Sequence, residues 1–229
     1  MRKATLSSRN CLLQLAQITR HHEPLTILHL KRVRYFTQAL TQELLRLELR
    51  RLTPEHACRI MELSYIHDIG KVCIPGTILH KEDFLTTQER HLIQQHPTIG
   101  SYLVDDICRS MDLQTYTTAR DIVLYHHERF DGRGYPHGLC AEAIPIGARI
   151  VALADVYDAL SSPRSYKPAY ERRACRDIIV EQSGQQFDPV VVSAFLNIEA
   201  KLWRIHQQIG CTPSTQAGSA LFPPHQQEE

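Results

Sequence analysis

The sequence predicts an all-α domain, and three observations carry that expectation. Apolar residues recur at three- and four-residue intervals in segment after segment. Capping and stopping residues separate those segments, and no alternation of period two persists long enough to build a sheet. At 229 residues the chain can bury one substantial core and still carry tails.

The elements follow in order. Leu12, Leu13, Leu15, Ala16 and Ile18 form one apolar stripe, a short N-terminal helix within 1–24. A longer helix is expected over 26–50, with Ile27, Leu30, Val33, Phe36, Leu40, Leu44 and Leu47 on its inner face. Thr53 is an N-cap candidate and Pro54 suits the first helical position. The helix they start turns Ala57, Ile60, Met61 and Leu63 inward and ends near His67-Asp68, with Gly70 as its stop. Residues 72–84 read as a connector with about one turn of helix, punctuated by Pro75 and Gly76. Thr86 or Thr87 caps the next helix, which bears Leu92, Ile93 and His96 up to a break at Pro97, and another follows over 98–110. A helix over 116–127 feeds a Gly-rich loop at 131–138. The Ala-interrupted apolar run 146–160 is a buried helix, and helices near 169–182 and 188–208 complete a domain over 25–208. The Gly, Pro, Ser, Thr and Gln of 209–229 predict a disordered tail.

Composition excludes several function classes. Lys and Arg number 26 against 25 Asp and Glu, so no global basic field points to DNA or RNA, and any anionic ligand must be held by local charge. Seven cysteines, Cys11, Cys58, Cys73, Cys108, Cys140, Cys175 and Cys211, form no CxxC pair, and free thiols in a reducing cytoplasm are expected. Residues 1–20 lack the apolar run of a secretory signal. No stretch approaches the roughly 18 to 20 apolar residues that span a bilayer, so no membrane is expected as a partner.

Chemistry concentrates in two blocks, His67-Asp68-Ile69-Gly70-Lys71 and the run from His126-His127 through Gly132, Gly134, Tyr135 and Pro136. Adjacent helical residues point about 100° apart, so His67 and Asp68 can straddle a cation, and a carboxylate can bridge two cations where an imidazole cannot. His126 and His127 repeat that geometry, and His96 adds another imidazole. Asp155 lies in an apolar stretch where a charged carboxylate is costly unless paired or metal-bound, and His29 sits among Ile27, Leu28 and Leu30. Taken singly, each has a plainer explanation: a hydrogen-bonded core histidine, or for Asp155 a cap or ion-pair partner. His and Asp donors without thiolate suit iron, manganese or zinc.

The set resembles the HD-GYP family of cyclic dinucleotide phosphodiesterases in the HD superfamily. The resemblance covers about residues 25–200, carried by HLKRV at 29–33, HDIGKVCIP at 67–75, QHPTIG at 95–100, YHHERFDGRGYP at 125–136, IPIGARIVALADVYDALSS at 144–162 and QFDP at 186–189. It implies that His29, His67, Asp68, His96, His126, His127 and Asp155 are metal ligands. Histidines 21, 22, 56, 80, 91, 137, 206 and 225 match no ligand position. Members with three metals have a Glu four residues before the first-helix His; here that place is Leu25, so two divalent ions are implied, iron or manganese.

The activity implied is hydrolysis of cyclic di-GMP to linear pGpG and, in some members, GMP. Asp68 and Lys71 are the expected catalytic residues, and Lys71, Tyr135, Arg164 and Lys167 the expected substrate contacts. The family's Arg-Pro-Tyr-Arg-like run stands here as Arg164-Ser165-Tyr166-Lys167, kept only in part. Gly132 and Gly134 are expected to take positive φ, and Glu128 and Asp131 to orient the His pair and loop. Tyr135 could contact phosphate or guanine, or could simply pack the loop. Alternatives left open are a catalytically silent cyclic-dinucleotide receptor, a phosphodiesterase for cyclic GMP-AMP, and another HD hydrolase such as a nucleotidase or guanosine tetraphosphate hydrolase. A homodimer and a diguanylate cyclase or other signalling protein are the partners the resemblance suggests.

Overall fold

The structure is a computed structural model that describes residues 26–48, 52–81, 83–108, 111–163 and 168–210. The expected N-terminal helix, Leu25, the run Arg164-Ser165-Tyr166-Lys167 and the tail beyond 210 lie outside these residues. The described chain is helical, with no strand among its elements: α1 (Thr26–Arg46), α2 (Pro54–Leu63), α3 (Gly76–Leu79), α4 (Thr87–Ile93), α5 (His96–Cys108), α6 (Leu113–Tyr125), α7 (Ile146–Ser161), α8 (Arg172–Glu181) and α9 (Pro189–Gly210). Short 3₁₀ turns stand at Ser64–Ile66, Ile69–Cys73 and Ala141–Ala143. None of the described helices is long and apolar enough to cross a membrane.

The core is built around α7. Ile150, Val151, Leu153, Ala154 and Tyr157 are all fully buried, so apolar residues face every direction, as in a helix enclosed by others. Tyr157 sits between Phe36 of α1 and Phe195 of α9, edge-to-face with each at centroid distances of 5.3 and 5.2 Å. The α1 helix spans the domain, packing on α9, α2 and α7. Two side-chain ties reinforce these contacts: Glu43 accepts from Arg46 and from Asn197 of α9, and Arg149 of α7 pairs with buried Asp188 before α9.

Several boundaries differ from the sequence expectation for local reasons. The α1 helix stops at Arg46 rather than 50, because Glu48 adopts φ 55 and Leu47 turns 40% outward. Thr53 does cap α2, accepting from the His56 N–H at 3.2 Å, and Thr86 rather than Thr87 caps α4 in a reciprocal capping box with Glu89. His96 opens a helix instead of closing one: α4 ends at Ile93, and Pro97, having no N–H to satisfy, fits the first turn of α5. The α6 helix starts three residues early, at Leu113, because Asp112 caps it through the Thr115 N–H at 2.9 Å. The α9 helix runs to Gly210, past the expected end at 208.

Gly70 is not a helix stop. It lies inside the 3₁₀ turn Ile69–Cys73, pressed against the start of α5. A Cβ there would collide with the His96 carbonyl and stand 2.6 Å from the Gly100 nitrogen. Gly70→Ala is therefore expected to lower unfolding free energy by ~1–3 kcal/mol, the usual penalty of overpacking, as read by urea denaturation. A stability equal to the parent's would contradict this close approach.

Candidate metal centre

Five elements converge on one point. The turn after α2 brings His67 and Asp68, the start of α5 brings His96, the end of α6 brings His126 and His127, α1 brings His29, and α7 brings Asp155. Donor atoms of Asp68, His96, His126 and His127 all lie within 4.8 Å of one another, as do those of His29, His67 and Asp68. Asp68 belongs to both groups. Its Oδ1 is 3.1 Å from His96 Nε2 and 3.6 Å from His126 Nε2, while its Oδ2 is 3.3 Å from His67 Nε2. Asp155 borders the second group, its Oδ1 3.5 Å from His29 Nε2 and 3.9 Å from His67 Nε2.

Local backbone decides which ring nitrogen faces inward. His67 Nδ1 lies 2.8 Å from the Ser64 carbonyl, His96 Nδ1 2.7 Å from that of Ile93, and His126 Nδ1 3.1 and 3.0 Å from those of Ile122 and Val123. A carbonyl accepts only, so each Nδ1 carries a proton, and in the neutral ring it is Nε2 that presents a lone pair to the centre. His96 Nε2 and His126 Nε2 then face each other at 3.3 Å with no proton between them. A divalent ion at the centre would satisfy both lone pairs.

The electrostatics agree. Burial opposes ionisation of Asp68, yet Lys71 and His67 hold its carboxyl well below the ordinary carboxylate range. Burial likewise opposes charge on His67, but the Asp68 carboxylate outweighs it and holds the ring up, at about 8, so at neutral pH a cation at its Nε2 would take the place of a proton. His126 and His127 are pushed down by burial and by neighbouring rings. Among the described residues, buried His67 Nε2 and Asp68 Oδ1 have no hydrogen-bond partner. Buried polar atoms are rarely left so, and a divalent ion satisfies both. The donor set fits a metal.

Lys71 stands at the edge of the centre, its Nζ 2.7 Å from Asp68 Oδ2. Tyr135 stacks on His127 with centroids 4.9 Å apart and an interplanar angle of 23°. Burial, then the negative charges of Asp68 and Asp155, push its phenol up, so the ring lies over the site as a neutral hydroxyl. Of the two loop glycines, Gly132 takes φ 77 as expected, but Gly134 does not have positive φ. Gly134 is needed because a Cβ would collide with the Arg129 nitrogen. Glu128 and Asp131 hold the loop rather than the His pair: Glu128 accepts from the His137 and Leu139 N–H groups at 2.7 and 3.1 Å, and Asp131 from Arg129 and the Arg133 N–H.

Two residues escaped the sequence reading. Asp158, 2% exposed, accepts from His29 Nδ1 at 2.8 Å and pairs through both oxygens with Arg32. The available signal was spacing: His29 and Arg32 are three apart on α1, and Asp155 and Asp158 three apart on α7, so each pair shares a helix face.

A family model described as "HD domain" matches residues 15–191. The chain is 45% identical over 151 residues to a cyclic di-GMP phosphodiesterase of Vibrio cholerae, covering 66% of this chain and 31% of that protein. It is 42% identical over 165 residues to the cyclic di-GMP phosphodiesterase response regulator RpfG of Xanthomonas campestris, covering 72% and 42%. A 3'3'-cGAMP-specific phosphodiesterase 2 of Vibrio cholerae is 34% identical over 190 residues, covering 83% and 34%. The chain thus spans less than half the length of these curated relatives. Among solved structures, an HDGYP protein from Bdellovibrio bacteriovorus superposes with a TM-score of 0.55 at 20% identity, over 74% of this chain and 51% of that one. A cyclic GMP-AMP-specific phosphodiesterase of Vibrio cholerae gives 0.56 at 19% identity, over 92% and 53%, and these two likenesses concern the fold.

Proposed function

The chain belongs to the HD domain family, and from that membership we propose that it hydrolyses the phosphodiester bonds of cyclic di-GMP to linear pGpG, with two divalent cations, iron or manganese, held by His29, His67, Asp68, His96, His126, His127 and Asp155. One observation carries the reading: the Asp68 carboxylate is shared, Oδ1 facing His96 and His126 while Oδ2 faces His67. A carboxylate so placed can hold two cations side by side. When bound, such a pair supplies Lewis acidity to the phosphoryl group and a water acidic enough to attack at neutral pH.

The chain's own residues do the rest. Asp68 offers one oxygen to each group of donors and supplies the negative charge that the neutral imidazoles lack. Lys71 keeps its ammonium within 2.7 Å of that carboxylate, where it can also meet a non-bridging phosphate oxygen as a point charge. Tyr135, stacked on His127, offers a hydroxyl to phosphate or a ring face to a guanine. Arg164 and Lys167 provide the remaining positive charge for the second phosphate.

Anaerobically purified protein loaded with manganese or ferrous iron should contain about two cations per chain and convert cyclic di-GMP to pGpG, read by elemental analysis and chromatography. Cyclic GMP-AMP belongs in the same assay, since a relative named as specific for it is 34% identical over 83% of this chain. Preference for cyclic GMP-AMP would move the substrate to that dinucleotide. Tight cyclic di-GMP binding without turnover by the two-metal protein would leave a receptor.

A further inference from the structure

The rings around the centre are not oriented alike. His67, His96 and His126 direct Nδ1 to main-chain carbonyls of their own turns, so their inward nitrogens are set by the helices that carry them. His29 has a different support. Its Nδ1 is 2.8 Å from Asp158 Oδ2, on another helix, and Arg32 grips the same carboxylate through Nε and Nη2. Asp158 is nearly inaccessible and Arg32 is buried, at 3% and 9% side-chain exposure. An ion pair so enclosed is costly to desolvate, and removing either partner leaves an unpaired buried charge. What the pair fixes is visible in the geometry: with Nδ1 donating to Asp158, His29 Nε2 is its lone-pair nitrogen, turned toward the donor group with His67 and Asp68 and lying 3.5 Å from Asp155 Oδ1.

Resting on the two-cation reading above, we propose that Asp158, braced by Arg32, is a positioning residue that presents His29 to the second cation and selectively sets the affinity of that site. The first site, with His96, His126, His127 and Asp68, does not depend on this clamp. The two sites are therefore separable: the clamp can be altered without substituting any ligand of either. Asp158 also strengthens His29 as a donor, because a carboxylate accepting from Nδ1–H raises the electron density at Nε2. In an Asn side chain one oxygen is replaced by an amide NH2, a donor only, which must face a donor of Arg32 or the Nδ1–H of His29. It cannot keep the pattern.

Manganese(II) titration by equilibrium dialysis, on wild type and Asp158→Asn, tests this. The variant should keep the first cation at wild-type affinity and bind the second about 10- to 100-fold more weakly, the usual cost of losing such a support. Arg32→Lys, which retains a charge beside Asp158 and leaves that carboxylate to His29, should bind the second cation more tightly than Asp158→Asn does and closer to wild type. A merely structural ion pair predicts a lower melting temperature with both cations affected equally or not at all, and that result would overturn the proposal. A second measurement needs no clamp variant: ¹⁵N spectra of histidine-labelled, zinc-loaded wild type, with His29 assigned by His29→Gln. They should show His29 protonated at Nδ1 and coordinated through Nε2. An unprotonated Nδ1 refutes the clamp even if Asp158→Asn does not fold. Should wild type bind fewer than two cations, the two-cation reading fails, while the protonation of His29 Nδ1 still reports on the clamp by itself.

Discussion

Asp68→Ala is expected to abolish turnover and strip most of the bound metal while leaving helix content unchanged. The reason is that one carboxylate serves both donor groups, so its removal is felt twice. The first group becomes three neutral imidazoles with converging lone pairs and no negative charge, and the second loses the oxygen that faces His67 at 3.3 Å. Losing cation stabilisation of a phosphoryl transition state forfeits several kcal/mol, and each 1.4 kcal/mol is about tenfold, so the rate should fall by about 10³-fold or more. The fold should survive because Asp68 contributes to the backbone through its carbonyl, which accepts from the Lys71 N–H at 2.9 Å and remains in the variant. Its side chain is a buried charge whose partners are the site itself, so deletion removes an electrostatic cost along with a benefit. Steady-state kinetics, elemental analysis and far-UV circular dichroism decide the matter. Full activity in Asp68→Ala would remove Asp68 from the mechanism.

Much of this centre could be read from the sequence because its donors come in vicinal pairs. His67-Asp68 and His126-His127 each place two donors on adjacent positions at a helix end, where a one-residue error in the helix boundary does not move them apart. Caps were legible for a similar reason, since Thr53 and Thr86 act on N–H groups only three residues away. Long-range facts were not legible. Gly70 reads as a helix stop in one dimension, and only the approach of the His96 carbonyl shows why no side chain fits. Asp158 reads as an ordinary helical aspartate until His29 and Arg32, 129 and 126 residues earlier, are seen bonded to it. Glu128 sits beside the His pair in sequence, yet bonds forward to the loop at His137 and Leu139. In each case the missing information was the partner, not the residue type.

Lys71→Ala is the substitution that separates substrate chemistry from metal binding. Its ammonium lies 2.7 Å from Asp68 Oδ2, so two roles compete: a brace for the ligand carboxylate, or a charge waiting for the phosphate. The competing predictions differ in sign for the metal. A positive charge beside Asp68 opposes cation binding, so its removal should leave metal content unchanged or slightly raised. As a phosphate contact strengthened in the transition state, its loss should lower kcat by about 10²- to 10³-fold, as for a preorganised donor to a developing oxyanion, with little change in KM. Arg164 and Lys167 stand nearly 100 residues later in the sequence, in the expected substrate-gripping run, and on that proposal would grip the ground state and transition state alike. Their Ala variants should raise KM, by ~1.5–3 kcal/mol each for charged hydrogen bonds, and spare kcat. A Lys71→Ala protein that loses metal in proportion to activity would make Lys71 a brace. If all three variants behave like the parent, the anion is held elsewhere and the receptor reading gains.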